Sequence, residues 1–468
     1  MENRGDTLSQ REDPSGISRR LTESVFLEVE CDRPLVGPAR HSLEGIDRVA
    51  IGRAPERELH HSADRLLTIG VPDRWMSVSH AELRRAGAEW TVHDLSSKNG
   101  TLVQGRRIGS AALPPEGRIQ AGHTLFCLRR HGTGGSDISN GVSNLSPVSD
   151  STTFSASFAE VLTRAETVAT ADVSVLLHGE TGTGKEVLAH AVHRWSRRPG
   201  PFVAVNCGAI PQTLVESELF GHRKGSFSGA SHNRVGLVQA SDGGTLFLHE
   251  IADLSLASQA ALLRVLQEHE VLPIGALRAE SVDLRVIAAS HRPLDRLVRD
   301  GKFREDLLAR LTGVVLEIPP LRERMEDLPL LIASLLRSMT GEERLPKLSP
   351  EAALALLEYS WPLNVRELEQ ALRGGLALCG PHPIGLDHLP DAVRRRGAIV
   401  DESLEGEDLE RRDRLVQLLR EHRGNLSAVA RSLGMGRTQV CRWMVKYGLS
   451  RAAFRGRKGL LEGGGDER

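Results

Sequence analysis

Gly179-Glu180-Thr181-Gly182-Thr183-Gly184-Lys185-Glu186 decides how the chain is read. It follows the apolar run Val173 to Leu177 and opens a helical pattern. Glycines let the backbone curl until several amide hydrogens point into one concavity, the arrangement a phosphate requires. A helix that starts there adds favourable potential, and Lys185 adds a formal charge. The G-x-x-x-x-G-K spacing between strand and helix therefore predicts a nucleotide site. Glu186 stands where Ser or Thr is usual.

Outward from this site, apolar runs alternate with helical stretches: Phe202 to Val205, Thr245 to Leu248, Leu284 to Ala289. That alternation predicts an α/β subdomain, a parallel sheet covered by helices, over 154–324. A smaller all-helical lobe follows over 325–390. Towards the N-terminus, 24–130 reads as short alternating strands such as Val25-Phe26-Leu27-Glu28-Val29 and Glu89-Trp90-Thr91-Val92, separated by turn residues. That pattern predicts a β-sandwich. Residues 131–153, rich in Gly, Ser and Asn, read as a flexible linker. Residues 1–23 are polar and expected to be disordered. A charged linker is expected over 391–407, three short helices over 408–450 and a basic tail over 451–468. The fold class is multidomain: a β-sandwich, an α/β domain with a helical lid, and an all-α C-terminal domain.

The net charge of −1 implies no partner. Its placement does: between Arg411 and Gly459, 13 Lys/Arg face two Asp/Glu, a balance suited to nucleic acid. The five cysteines are scattered with no CxxC, which argues against a disulfide framework or zinc site and for a reducing cytoplasm. No signal-peptide pattern is present at Met1–Arg20, and no apolar run approaches the ~20 residues needed to span a bilayer. A cytoplasmic protein without a membrane partner is expected.

GETGTGKE, with its terminal Glu186, resembles the P-loop of sigma-54-dependent activators, a branch of the AAA+ ATPases. Further motifs fall in that family's order. Glu216 to His222 leads into Gly225-Ser226-Phe227-Ser228-Gly229-Ala230, similar to the family's GAFTGA loop. Gly243 to Glu250, Leu262 to Gln267, Phe303 to Leu307, Arg310-Leu311, Pro319 to Arg324 and Trp361 to Leu368 complete the set, and the resemblance spans 154–390.

The resemblance implies that Gly179, Glu180, Thr181, Gly182, Thr183, Gly184, Lys185 and Glu186 bind ATP with Mg2+. It implies that Glu250 polarises the attacking water and that Asn206 holds or releases Glu250. Arg304 and Arg310 would reach a neighbouring subunit's site, which implies a homo-oligomeric ring, a hexamer. Arg366 would sense nucleotide from the lid. Gly225, Ser226, Phe227, Ser228, Gly229 and Ala230 would press on sigma-54 RNA polymerase, an exposed Phe between glycines being contact material. Ser226 and Ser228 replace the usual Ala and Thr.

Larger departures sit beside the catalytic acid. The family's metal-binding Asp is His249, the polar residue after the Val286–Ser290 strand is His291, and Leu363 replaces a Gly. Imidazole is a poor ligand for Mg2+, a hard ion that prefers oxygen. Two readings stand: a slow or metal-altered ATPase with His249 acting through a bound water, or a ring that binds ATP without hydrolysing it. Retention of Lys185, Glu250, Arg304 and Arg310 favours hydrolysis.

In the front domain, Gly52-Arg53, Ser77-x-x-His80 and Asp94 to Thr101 resemble the forkhead-associated (FHA) fold. Arg53 and Ser77 would bind phosphate, Asn99 the peptide backbone, and His80 would support the loop. The resemblance implies a phosphothreonine partner and a Ser/Thr kinase upstream, signalling of a two-component-like kind. At the other end, Asn425 to Gly434 and Gly436 to Met444 resemble a Fis-type helix-turn-helix. Val440 and Met444 would be core. Arg437, Thr438, Gln439, Arg442 and Trp443 would face the major groove of double-stranded DNA, with Lys446, Arg451, Arg455, Arg457 and Lys458 on phosphates. The function implied is a sigma-54-dependent activator gated by phosphothreonine. The alternative is a DNA-bound adaptor that hydrolyses ATP weakly or not at all. A remodeller of another client is disfavoured by Gly225–Ala230.

Overall fold

The computed structural model describes residues 21–132, 152–226, 230–340 and 345–397, together with 414–415, 417–419, 421–422, 425–436, 439–440 and 443. The chain forms two compact units, Met1–Val393 and Arg394–Arg468. Phe227, Ser228 and Gly229 lie outside the described residues, as do Arg437, Thr438, Arg442, Met444, Lys446 and the tail.

The first unit opens with a sandwich of two sheets. Its strands are β1 (Leu21–Glu30), β2 (Ala39–Ser42), β3 (Arg48–Arg53), β4 (Glu58–Ser62), β5 (Leu66–Val71), β6 (Ala81–Ala86), β7 (Glu89–Asp94), β8 (Thr101–Val103), β9 (Arg106–Ile108), β10 (Ser110–Leu113), β11 (Arg118–Ala121) and β12 (Thr124–Gly132). One sheet runs β2-β1-β12-β11-β8-β9 and the other β10-β7-β6-β3-β5-β4. Leu27, Ile51, Leu83, Trp90 and Phe126 fill the space between them. β1 begins at Leu21, ahead of the expected start at Ser24.

The second part of this unit is a parallel sheet. Its strands are β13 (Val175–His178), β14 (Phe202–Asn206), β15 (Thr245–His249), β18 (Arg285–Ser290) and β19 (Val314–Glu317), in the order β14-β15-β18-β13-β19. A two-residue hairpin, β16 (Glu270–Val271) with β17 (Glu280–Ser281), projects from the connection before β18. All of β18 is buried, as a central parallel strand covered on both faces must be. Helices α1 (Ala156–Ala169) and α2 (Lys185–Ser196) cover one face. The other is covered by α3 (Gln212–Phe220), α4 (Leu237–Ala240), α5 (Leu256–Glu268), α6 (Leu294–Arg299) and α7 (Glu305–Leu311). Ser255 starts α5 by accepting the Ser258 amide at 3.0 Å, satisfying a donor that the first turn leaves free.

The lid comprises α8 (Leu328–Thr340), α9 (Pro350–Glu358), α10 (Asn364–Cys379) and α11 (Asp391–Gly397). Ser349 caps α9 through the Ala352 amide, with Pro350 at the first helical position. A linker was expected from residue 391, but α11 occupies 391–397, where Val393 is buried against the lid core. The second unit contains a described helix at Leu426–Ser432, where Leu426, Val429 and Ala430 pack with Leu415, Leu419 and Val440. No helix among the described residues is long and apolar enough to cross a membrane.

The sandwich is fused to the lid by an apolar seam. Val29, Cys31 and Leu125 belong to the same buried cluster as Leu328, Leu356 and Trp361. Phe26 and Cys127 pack with Phe154 and Leu330, the two Phe rings meeting edge to face at 5.5 Å. The Leu348 amide donates to the Cys31 carbonyl at 2.8 Å, and Lys347 pairs with Asp32 at 3.7 Å. Leu330→Ala is expected to cost about 2–5 kcal/mol at this seam. Calorimetry should then show the sandwich melting apart from the ATPase domain, against one joint transition in the parent; an unchanged profile contradicts this.

Candidate functional site

The P-loop runs from the end of β13 to the start of α2, and its glycines are required by shape. Gly182 and Gly184 have φ of +80° and +101°, the left-handed region where a side chain strains the backbone. A Cβ on Gly182 would also stand 2.3 Å from the Leu363 carbonyl oxygen. Lys185 is buried, and its Nζ donates to the Gly179 carbonyl at 2.8 Å and to the Glu180 carbonyl at 3.0 Å. An ammonium carries three protons, so one is left for an incoming phosphate oxygen. Burial lowers the Lys185 pKa, partly offset by the charge of Glu250.

The lid grips this loop through side chains to which sequence reasoning gave no role. Asn364 is fully buried. Its Nδ2 donates to Glu180 Oε2 at 3.1 Å and to the Thr181 carbonyl at 3.0 Å, and its Oδ1 accepts the Leu321 amide at 2.7 Å. The Val365 amide donates to the Gly182 carbonyl at 3.0 Å. Arg322 forks onto Glu180 at 2.8 and 2.7 Å, the bidentate geometry that guanidinium and carboxylate share. Those hydrogen bonds, with that of Asn364, hold the Glu180 carboxyl down to about 2. Arg324 donates to the Thr183 carbonyl at 2.7 Å and lies over the Phe158 ring at 4.2 Å. These residues all fall within two motifs of the sequence, Pro319–Arg324 and Trp361–Leu368. Arg366, on the first turn of α10, lies close enough to Lys185 to oppose its charge.

Glu250 follows β15 with φ +56°, a costly backbone for a non-glycine residue and one that concentrates at functional sites. Its Oε2 accepts from His291 Nδ1 at 2.6 Å. His249 Nδ1 lies 4.0 Å from Oε1 and is buried without a hydrogen-bond partner. Burial raises the Glu250 carboxyl, but the His291 hydrogen bond and the charges of His291, Lys185 and His249 leave it below its usual value. Burial keeps His249 below the usual imidazole range, outweighing the pull of Glu250. Asn206 sits opposite His249 in the sheet, and its Oδ1 accepts the Gly208 amide at 3.1 Å. Arg304 is engaged by Asp306 at 2.7 Å, and Arg310 Nε donates to the Leu266 carbonyl at 3.1 Å. Within the described residues neither arginine is bonded to Glu250 or the P-loop. The base of the 225–230 loop is closed by the Gly225 amide on the Ala230 carbonyl at 2.9 Å.

Three loops meet at one end of the sandwich. Arg53 is exposed at the end of β3, and its amide donates to the Ser77 carbonyl at 2.9 Å. Ser77 Oγ accepts the Lys98 amide at 3.0 Å, and Asn99 Nδ2 donates to the Trp75 carbonyl at 2.7 Å. His80 is fully buried; its Nδ1 accepts the Ser77 amide at 3.0 Å and its Nε2 meets the Gly100 carbonyl at 3.3 Å. A Cβ on Gly52 would stand 1.9 Å from the Val78 carbonyl oxygen, so only glycine lets the loop before β6 close on the end of β3.

Comparison with known proteins follows the same order along the chain. Residues 49–122 match the FHA domain, 152–317 the sigma-54 interaction domain, 322–404 the AAA+ ATPase lid domain, and 407–447 the bacterial regulatory protein Fis family. The chain is 42% identical over 309 residues to the transcriptional regulatory protein GlrR of Escherichia coli, covering 63% of this chain and 67% of GlrR. It is 46% identical over 303 residues to the acetoin catabolism regulatory protein of Cupriavidus necator, covering 62% of this chain but only 45% of that protein. Among solved structures it is similar to NtrX from Brucella abortus in complex with ADP, at 28% identity over 63% of this chain and 69% of that one, with a TM-score of 0.49. The chain belongs to the sigma-54-dependent transcriptional regulators, with an FHA domain ahead of the sigma-54 interaction domain and a Fis-type region behind its AAA+ lid.

Proposed function

We propose that this chain activates transcription by hydrolysing ATP in a ring that remodels sigma-54 RNA polymerase at promoters, under the control of a phosphothreonine protein. The observation that carries the reading is the assembly of Lys185, Glu250 and the lid around one P-loop. Phosphoryl transfer needs positioning, charge neutralisation and an oriented water. Gly179–Glu186 cradle the phosphates, Lys185 neutralises them, Glu250 polarises the water and Arg366 senses the nucleotide. Arg304 and Arg310 act on the neighbouring subunit's nucleotide, which requires a homo-oligomer, a hexamer. Phe227, with the rest of Gly225–Ala230, bears on sigma-54. Gln439 and its neighbours in the Fis-type region read double-stranded DNA in the cytoplasm.

A resident Mg2+ does not fit position 249. That ion takes oxygen donors, and His249 offers a buried imidazole nitrogen instead. No group of three His, Cys, Asp or Glu among the described residues is arranged to hold a metal. Magnesium enters as part of the substrate, Mg·ATP.

Control by a phosphothreonine partner is supported by a run of hydrogen bonds from the Arg53, Ser77 and Asn99 loops to the lid. Asp73 accepts the Trp75 amide at 2.8 Å and the His123 amide at 2.7 Å. The His123 carbonyl accepts the Cys31 amide at 2.9 Å, and the Cys31 carbonyl accepts the lid's Leu348 amide. The Cys31–Leu348 bond thereby ties the Ser77 loop to the residue ahead of the α9 cap, in the same lid whose α10 contacts the P-loop. A kinase-dependent partner is the input this architecture serves.

The second reading is a DNA-bound adaptor with little or no hydrolysis, favoured by His249. The ATPase rate of the purified chain separates the two. Turnover is expected in the parent, and His249→Asp should raise kcat by roughly tenfold, the low end of the range for residues that tune a metal or phosphate site. No turnover in the parent, restored in the variant, supports the adaptor. Arg53→Ala should weaken binding of a phosphothreonine peptide by at least about tenfold, since one charge-assisted pair is lost. Fluorescence anisotropy checks this; equal affinity for parent and variant contradicts the phosphate-binding role.

A further inference from the structure

Glu250 is useful as a base only if its carboxylate is aimed, and the structure shows what aims it. Three turns converge at the ends of β14, β15 and β18. His291 contacts Glu250 Oε2 twice: Nδ1 at 2.6 Å and the backbone amide at 3.5 Å. The next residue, Arg292, pairs with Asp253 in the turn that follows Glu250. Ser290 braces the far side, its Oγ donating to the Arg292 carbonyl at 2.8 Å and accepting the Arg292 amide at 3.0 Å. The turn after β18 is thus tied at two points to the turn after β15. Asn206 has no such tie: its Oδ1 is taken by the Gly208 amide, and among the described residues it makes no hydrogen bond to Glu250.

We propose that His291, braced by the Arg292–Asp253 pair, is the positioning residue for Glu250 in this chain, in place of Asn206. It occupies Oε2 and leaves Oε1, flanked by His249, as the oxygen that meets the attacking water. This rests on the reading of Glu250 as the water-polarising group. It gives His291, a departure from the family pattern, a purpose: the donor that orients the acid has moved from the end of β14 to the end of β18. A side chain acting this way leaves nucleotide binding alone and changes the chemical step, because misplacing a reacting group by about 1 Å costs on the order of a hundredfold in rate.

The test has two arms on the full-length protein. In the first, steady-state ATP turnover is compared for His291→Ala, His291→Asn and Asn206→Ala. His291→Ala should lower kcat by at least about tenfold with KM for ATP within about twofold. The fall should be at least fivefold greater, roughly, than that of Asn206→Ala, and His291→Asn, which keeps a donor, should recover part of it. The opposite ranking, or a loss confined to KM, overturns the assignment. In the second arm, nucleotide-free protein labelled with 15N at histidine is examined by NMR, and the His291 signal is assigned by its loss in His291→Asn. Glu250→Gln should shift that signal and Asn206→Ala should not. A signal indifferent to Glu250→Gln overturns the proposal. If the parent shows no turnover, the ATPase reading has failed, and the spectrum alone then decides whether His291 holds Glu250.

Discussion

The buried amide of Asn364 and the carboxylate of Glu180 tie the P-loop to the lid, and the rest of the first unit is built on that tie. Glu180 lies inside the phosphate-binding turn, yet its oxygens are spent on Arg322 and Asn364 of the neighbouring lobe. Gly182 has no room for a side chain because the lid backbone at Leu363 presses on it. The turn therefore cannot tighten or relax around a triphosphate without moving Leu321, Asn364 and Val365. A carboxylate held by a bidentate arginine and a buried amide keeps its charge across the physiological range, so this coupling is always present.

On another side the lid packs against the sandwich. The seam at Phe26, Val29, Cys31 and Leu125 is apolar, and a packed apolar seam transmits displacement because its interior is close to incompressible. Around it lie groups that tolerate burial only when paired, such as Glu28 with Arg118 at 2.8 Å and Arg129 at 3.1 Å. The Ser77 loop of the sandwich and the P-loop thus both contact the lid, the first through Cys31 and Leu348, the second through Asn364 and Val365.

Much of this was legible in the sequence, for local reasons. The P-loop announces itself because its glycines are forced by backbone shape. The parallel sheet follows from uninterrupted apolar strands such as Arg285–Ser290, and the sandwich from short alternating ones. The seam was hidden because Val29 and Leu125 look like ordinary sandwich core. The clue was Phe26, a large apolar residue on the alternate side of β1 that has to be covered by something. The helix at Asp391–Gly397 is charged and reads in the sequence as a linker, while Val393 packs it onto the lid core. The His291–Glu250 contact joins residues 41 apart, just beyond the ends of separate strands, so it depends on sheet order and register, which no local pattern encodes. The roles of Asn364, Arg322 and Arg324 were missed for the same reason: each acts across the lobe boundary.

Imidazoles flank both oxygens of Glu250; burial raises that carboxyl, but the His291 hydrogen bond and the charges of His291, Lys185 and His249 leave it below its usual value. Whether chemistry still drives polymerase remodelling is decided by assembling the full-length protein with sigma-54 RNA polymerase on a sigma-54 promoter carrying its binding sites, and scoring unpaired thymines by permanganate reactivity. Open complexes that form with ATP and are lost with a non-hydrolysable analogue are the predicted result. ATP turnover without any promoter opening, or opening that needs no nucleotide, would contradict it.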